Sequence, residues 1–325
     1  MHEQTRLEPQ SASVAQQQLP WKNPFGSSSS WCSLQTIDLR NNHLQGPLPR
    51  SLVNCFDIRL LNVGNNQIIE TFPSWLGSLK FLMVLILRFN HFHGEIQEPK
   101  RGAVFRQLKV IDLSYSNFRG SLPSSYFQYW VGMANYHSDE GLVYYDDMMP
   151  GGQGLDQNHP KYVYSMTIVY RGVEREYSKI LFDFTAVDLS SNSFSCEIPD
   201  SITVLNGLFL LNLSHNMLSG QLRPSLGNLR RLEALDLSWN NLTGGIPQQL
   251  TQIPSISIFN VSYNNLSGPI PKGNQFGSFP NSSYLGNSGL CGDPLSRKCA
   301  SSGQFSPPSQ KDEGPDAQFT VEWIV

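Results

Sequence analysis

Residues 232–255 read LEALDLSWNNLTGGIPQQLTQIPS. Apolar side chains stand at Leu232, Leu235, Leu237 and Leu242, and the run closes on a Gly-Gly-Ile-Pro turn. One frame, L-x-x-L-x-L-x-x-N-x-L-x-G-x-I/L-P, covers this stretch and recurs along the chain. It starts at Leu34, Ile58, Leu82, Leu108, Phe184, Leu208, Leu232 and Ile256. Successive starts lie 24 residues apart, except for gaps of 26 before Leu108 and 76 before Phe184. The long gap is one period plus an insertion of 52 residues. A fixed period of this length means stacked supersecondary units that cannot bury their apolar faces alone.

The frame explains its own residue types. An L-x-L core is a short strand whose alternate side chains point to one side. Stacked coils pair these strands into one parallel sheet. The ninth position is Asn42, Asn66, Asn90, Ser116, Asn192, Asn216, Asn240 and Asn264. An amide there can satisfy backbone groups exposed where the chain leaves the sheet, and the Ser116 hydroxyl can replace only part of that bonding. This is a leucine-rich repeat. The predicted fold is an α/β solenoid, a horseshoe arc with a parallel β-sheet on the concave face, interrupted by an island loop.

Six regions follow. Residues 1–30 are polar, fit no repeat and read as disordered; residues 31–123 hold repeats one to four; residues 124–183 are the island. Repeats five to eight fill residues 184–271, a C-terminal cap fills 272–300, and an acidic tail fills 301–325. The first coil has no cap of its own, so its apolar edge is expected to be exposed.

Charged residues make up 15% of the 325-residue chain and the net charge is −3, so nothing electrostatic points to nucleic acid. No run approaches the 18 or more apolar residues of a membrane helix. The opening MHEQTRLEPQSASVAQQQLP has no apolar core of a secretory leader.

The G-x-I-P extension (GGIPQQL, GPIPKGN) is similar to the plant class of leucine-rich repeats. The phrases CSLQTIDLRNNHLQGPLPRSLVNC, MTIVYRGVEREYSKIL, NQFGSFPNSSYLGNSGLCGDPL and FTVEWIV go further. Their order resembles the C-terminal half of the ectodomain of plant leucine-rich-repeat receptor-like proteins, kinase-lacking receptors of immune and developmental signalling. The resemblance covers residues 31–325. It implies an extracellular horseshoe at the plasma membrane, a peptide or protein ligand, and two kinase partners. These are a co-receptor kinase of the somatic-embryogenesis type and an adaptor receptor kinase. It also implies upstream repeats and a membrane anchor, both missing here, so the chain reads as a fragment or a truncated gene model.

Candidate sites come from the frame and the island. Cys291 and Cys299 bracket a loop after the last repeat, where a disulfide would cap the solenoid end. Cys32 and Cys55 lie nearly one coil apart and could bridge adjacent coils, or Cys55 could serve as a small buried thiol. Cys196 replaces a frame glycine and reads as a free thiol. Sequons start at Asn212, Asn241, Asn260, Asn265 and Asn281, with Asn212 and Asn260 expected on the concave face.

The eighth position of the frame is aromatic in five of eight repeats: Phe89, Tyr115, His215, Trp239 and Tyr263. Exposed aromatic and amphipathic side chains favour a protein interface; the bland alternative is surface decoration. The island adds Tyr126, Phe127, Tyr129, Trp130, Tyr144, Tyr145, Tyr162 and Tyr164, and its last third alternates like a hairpin. One partner surface is therefore expected from Arg171, Glu174, His215, Trp239 and Tyr263.

Catalytic and cofactor signatures do not emerge. His91 and His93 lack companion ligands for a metal, and the island carboxylates are scattered. Neither a nucleophile elbow nor a zincin or phosphate-loop motif occurs, so the chain reads as a non-enzyme without cofactors. The rival reading is a secreted repeat protein, such as an inhibitor of microbial cell-wall hydrolases.

Overall fold

The computed structural model describes residues 34–100, 102–134, 181 and 183–299, together with backbone strands at Gln10–Ser13, Met166–Tyr170 and Val173–Tyr177. A nine-stranded parallel sheet forms the floor of the solenoid. Its strands follow the chain in order: Gln10–Ser13, Leu34–Asp38, Leu60–Asn62, Val84–Ile86, Val110–Asp112, Ala186–Asp188, Leu210–Asn212, Ala234–Asp236 and Ile258–Asn260. Every strand from Leu34 onward sits on the frame's L-x-L core.

The insertion does not break the stack. Val110 pairs with Ala186 and Asp112 with Asp188, in the register seen between other neighbouring coils. A second parallel sheet follows the ladder residues, with seven strands from His93–Glu95 to Gly289–Cys291. The chain bends out of it at the frame glycine, where Gly46, Gly94, Gly120, Gly220, Gly244 and Gly268 have φ from 75° to 89°. Glycine occupies this left-handed conformation without steric cost. Cys196 takes the same bend at φ 66°. Short 3-10 helices such as Arg50–Asn54, Ser74–Ser78 and Gln248–Gln252 then return the chain, each opening on a proline (Pro49, Pro73, Pro247) whose fixed φ suits a helix start.

The core lies between these layers. Leucines and isoleucines of the first, fourth, sixth and eleventh positions are buried almost throughout, as in Leu232, Leu235, Leu237 and Leu242. At the eleventh position three successive coils carry phenylalanine. Phe92 stacks on Phe118 and Phe118 on Phe194, both with centroids 6.2 Å apart, so an aromatic spine crosses the insertion point.

The ladder asparagines do the bonding expected of them. Asn90 donates to the carbonyls of Val63 and Leu87 and accepts from the Ile68 amide at 3.0 Å. Asn192, Asn216, Asn240 and Asn264 repeat the pattern. Ser116 does not: its buried Oγ has no hydrogen-bond partner.

Three expectations need correcting. Residues 1–30 are not all without structure, because Gln10–Ser13 pairs in parallel with Leu34–Asp38 and covers the sheet edge of the first coil. The island does not begin at residue 124: Ser124–Phe127 and Val131–Ala134 are helical, and Tyr126, Phe127, Trp130 and Met133 are buried in the main core. They fill the convex side of the fourth coil, as the short helices do elsewhere, and among the described aromatic residues Tyr126, Phe127, Tyr129 and Trp130 only Tyr129 is exposed. The repeat pattern also outlasts the eighth coil. In YLGNSGL, Asn287 donates to the Val261 and Tyr284 carbonyls and accepts from Leu266, making a ninth rung of the ladder. Tyr284 stands in the leucine slot, and that substitution hid the rung from the frame.

The hairpin expected late in the island is present: Met166–Tyr170 runs antiparallel to Val173–Tyr177. Tyr144, Tyr145, Tyr162 and Tyr164 lie outside the described residues.

Candidate functional site

The concave floor is polar where the fifth and seventh frame positions meet. Ser190, Ser214, Ser238 and Ser262 each turn a hydroxyl back on the Oδ1 of Asp188, Asn212, Asp236 and Asn260, at 2.6–2.8 Å. Across coils, Asn212 donates to Asp188 at 3.1 Å and Asn260 to Asp236 at 3.2 Å. Alternating Asp and Asn thus lets Asp188 and Asp236 each accept from the amide of the next coil. Asp112 and Asp188 break the alternation, two buried carboxylates in register on adjacent strands. Burial first, then the charge of Asp112, pushes the Asp188 carboxyl up to about 7, against the bonds from Ser190 and Asn212.

Beside this floor runs a column of eighth-position side chains. All eight take the left-handed backbone, from φ 49° at Phe89 to φ 57° at Asn41 and Asn65. For large residues that conformation is costly, and here the repeat imposes it in every coil. Phe89 stacks on Tyr115 with centroids 4.1 Å apart and planes at 11°. His215 stacks on Trp239 at 5.4 Å, and Trp239 on Tyr263 at 4.0 Å. Tyr115, Trp239 and Tyr263 remain 44–48% exposed at their rims.

An open cleft of about 870 Å³ lies over the last coils. Leu210, Ala234 and Ile258 give it an apolar strip, Asp236 and Asn260 a polar one, and the cap segment with Phe279, Pro280 and Leu285 closes one side. Tyr115, Ser191, His215, Trp239 and Tyr263 also line it. The three aromatic residues expected at a partner surface therefore stand together on one cleft. Glu174 is placed only by its backbone, opposite Val169 in the hairpin, and Arg171 lies outside the described residues.

The remaining candidates separate by environment. Cys291 and Cys299 are bonded, Cys55 is also disulfide-bonded, and its expected partner Cys32 lies outside the described residues. Cys196 is a free, exposed thiol. Asn241, Asn265 and Asn281 are exposed, whereas Asn212 is buried and Asn260 half-buried, their side-chain amides spent on aspartates. No group of three metal-binding side chains occurs among the described residues, and no helix there is long and apolar enough to cross a membrane.

The leucine-rich-repeat family profile matches residues 33–55, 57–79, 207–229 and 231–253. Receptor-like protein 34 of Arabidopsis thaliana is 51% identical over 302 residues, 90% of this chain and 30% of that protein. Receptor like protein 27 of the same plant is 47% identical over 294 residues, 89% of this chain and 35% of its own length. The chain thus spans about a third of the length of these relatives. Among solved structures, a plant ice-binding protein superposes with a TM-score of 0.59 at 23% identity, over 83% of this chain and 69% of its own. The Arabidopsis receptor kinase HAESA, solved with the peptide hormone IDA and the co-receptor SERK1, gives 0.55 at 24% identity over 82% of this chain and 40% of its own. Those two likenesses speak to the fold. Repeats, fold and relatives together make this chain a leucine-rich-repeat protein of the plant receptor-like-protein family.

Proposed function

We propose that the chain is part of the ligand-perceiving extracellular region of a plant receptor-like protein at the plasma membrane, in immune or developmental signalling. It recognises a peptide or protein, and its signal passes through a co-receptor kinase of the somatic-embryogenesis type and an adaptor receptor kinase. The observation that carries this reading is the stacked, half-exposed column His215–Trp239–Tyr263 beside an open cleft at the capped end of the solenoid. Rigid aromatic groups that keep large exposed rims are the side chains most enriched at binding hot spots. The family resemblance and the solved receptor ectodomains of this fold supply the partner classes.

The test is co-receptor binding to the full-length ectodomain with and without Trp239→Ala. An interface anchor costs at least about 1 kcal/mol when truncated. Unchanged affinity for both Trp239→Ala and Tyr263→Ala would return these rings to decoration.

A further inference from the structure

Among the described residues, the eighth-position column is closed at both ends and open in the middle. At one end the Arg88 guanidinium lies 5.3 Å from the Phe89 ring centroid. At the other, Tyr263 abuts the backbone of Gly286, where an added Cβ would come within 2.7 Å of the tyrosine ring. Between Tyr115 and His215 the column holds Ser191, in the same left-handed conformation (φ 51°) as the aromatic rungs. The outer faces of Tyr115 and His215 are the two ring faces left without a stacking partner among the described residues.

Each is the face on the Ser191 side, since Phe89 covers the other face of Tyr115 and Trp239 the other face of His215. The strands leading to Tyr115 and His215 flank Ala186–Asp188 directly in the parallel sheet. Two strand spacings separate them by about 9.6 Å. A flat ring midway would lie about 4.8 Å from each neighbour, within the 4.0–5.4 Å spread of the stacks already present. Ser191 is small enough that no described side chain fills this rung, and Tyr115, Ser191 and His215 all border the open cleft. A branched aliphatic group is thicker than a ring and meets neither face squarely. A guanidinium is flat enough, but it lacks the aromatic face on which the rings of this column already stack.

We propose that the gap over Ser191 is a binding slot for one aromatic side chain of the partner polypeptide, which completes the column as its sixth ring. This deepens the proposed partner surface and rests on that reading for the partner being a polypeptide. The slot itself can be tested without any partner.

The experiment titrates the full chain with the N-acetyl amides of tryptophan, tyrosine, phenylalanine, leucine and arginine, followed by saturation-transfer NMR. The aromatic amides are expected to bind at least fivefold more tightly than the leucine amide. Ser191→Trp fills the rung in cis and should erase that preference. It should also keep the unfolding midpoint at or above that of the parent, because neighbouring coils already hold rings at this position. Tyr115→Leu removes one wall and should reduce the preference at least threefold, which keeps the test decisive if Ser191→Trp folds poorly. Equal binding of leucine and aromatic amides, an intact preference in Ser191→Trp, or tighter binding of the arginine amide would each overturn the proposal. Loss of the amide preference leaves co-receptor affinity as a separate readout, so failure of the slot and failure of the receptor reading are distinguishable.

Discussion

Trp239 lies face to face on Tyr263, ring centroids 4.0 Å apart and planes at 18°, while both residues hold left-handed backbones at φ 54° and 53°. Attraction between the rings and strain in the backbone act at the same two residues. A stacked aromatic pair contributes about 0.5–1.5 kcal/mol, and the left-handed conformation costs a residue with a Cβ about 1–2 kcal/mol. Trp239→Ala keeps the strain and loses its stacks on both His215 and Tyr263, so it should lower stability by about 1–3 kcal/mol. Trp239→Gly loses the stacks and relieves the strain, so it should be at least as stable as the alanine variant despite its more flexible unfolded chain. Urea unfolding of the three proteins decides this, and a glycine variant clearly weaker than the alanine one contradicts the strain argument.

Ser116 is the defective rung of the ladder. Its buried hydroxyl has no partner, whereas Asn192 in the next coil reaches the Leu113 carbonyl and the Phe118 amide. Ser116→Asn should supply the missing bonds and raise stability by about 1 kcal/mol. A higher thermal midpoint is the expected result; a lower one would mean that the pocket beside Ser116 has no room for the amide.

The Asp112–Asp188 pair makes stability depend on pH. The folded carboxyl of Asp188 is raised from 3.8 to about 7, and burial also raises Glu70. The folded state therefore binds more protons than the unfolded chain between about pH 4 and pH 7, and stability falls as pH rises through that window. The slope from this pair is at most about 1.4 kcal/mol per pH unit. Asp112→Asn removes the like charge and should flatten it, as denaturant midpoints between pH 5 and pH 8 would show. An unchanged slope would assign the effect to burial alone.

The cap disulfide closes a loop of eight residues' separation between Cys291 and Cys299. Loop entropy for so short a closure is about 2–3 kcal/mol. Cys291→Ser should lose stability by that order and loosen the strand Gly289–Cys291, which pairs with Ser267–Pro269. Hydrogen exchange at Ile270, whose amide donates to the Cys291 carbonyl at 2.9 Å, reports the loosening directly. Unaltered exchange there would show that the ninth rung at Asn287 suffices to hold the end.

The solenoid was legible because its information is local and repeated. Nearly every coil presents the same leucines, the same amide and the same bend, so the sequence alone allows eight coils to be counted and their L-x-L strands to be placed. The ninth coil was not legible, since Tyr284 fills the leucine slot and only its packing against Phe259, with its hydroxyl donating to the Phe276 carbonyl, shows it to be a core residue. The same ambiguity moved Tyr126, Phe127 and Trp130 from an expected partner loop into the core, because an aromatic run reads alike whether it faces a partner or its own solenoid.

The column of rings divides in the same way. Sequence alone determined that an aromatic residue recurs at one point of the frame, and that the points coincide on one side of the sheet. Only the tertiary structure decided that the rings stack, that Arg88 and Gly286 close the two ends, and that no described ring stands at Ser191. Those facts depend on the distance between neighbouring coils and on a left-handed backbone, and neither is encoded in any single repeat.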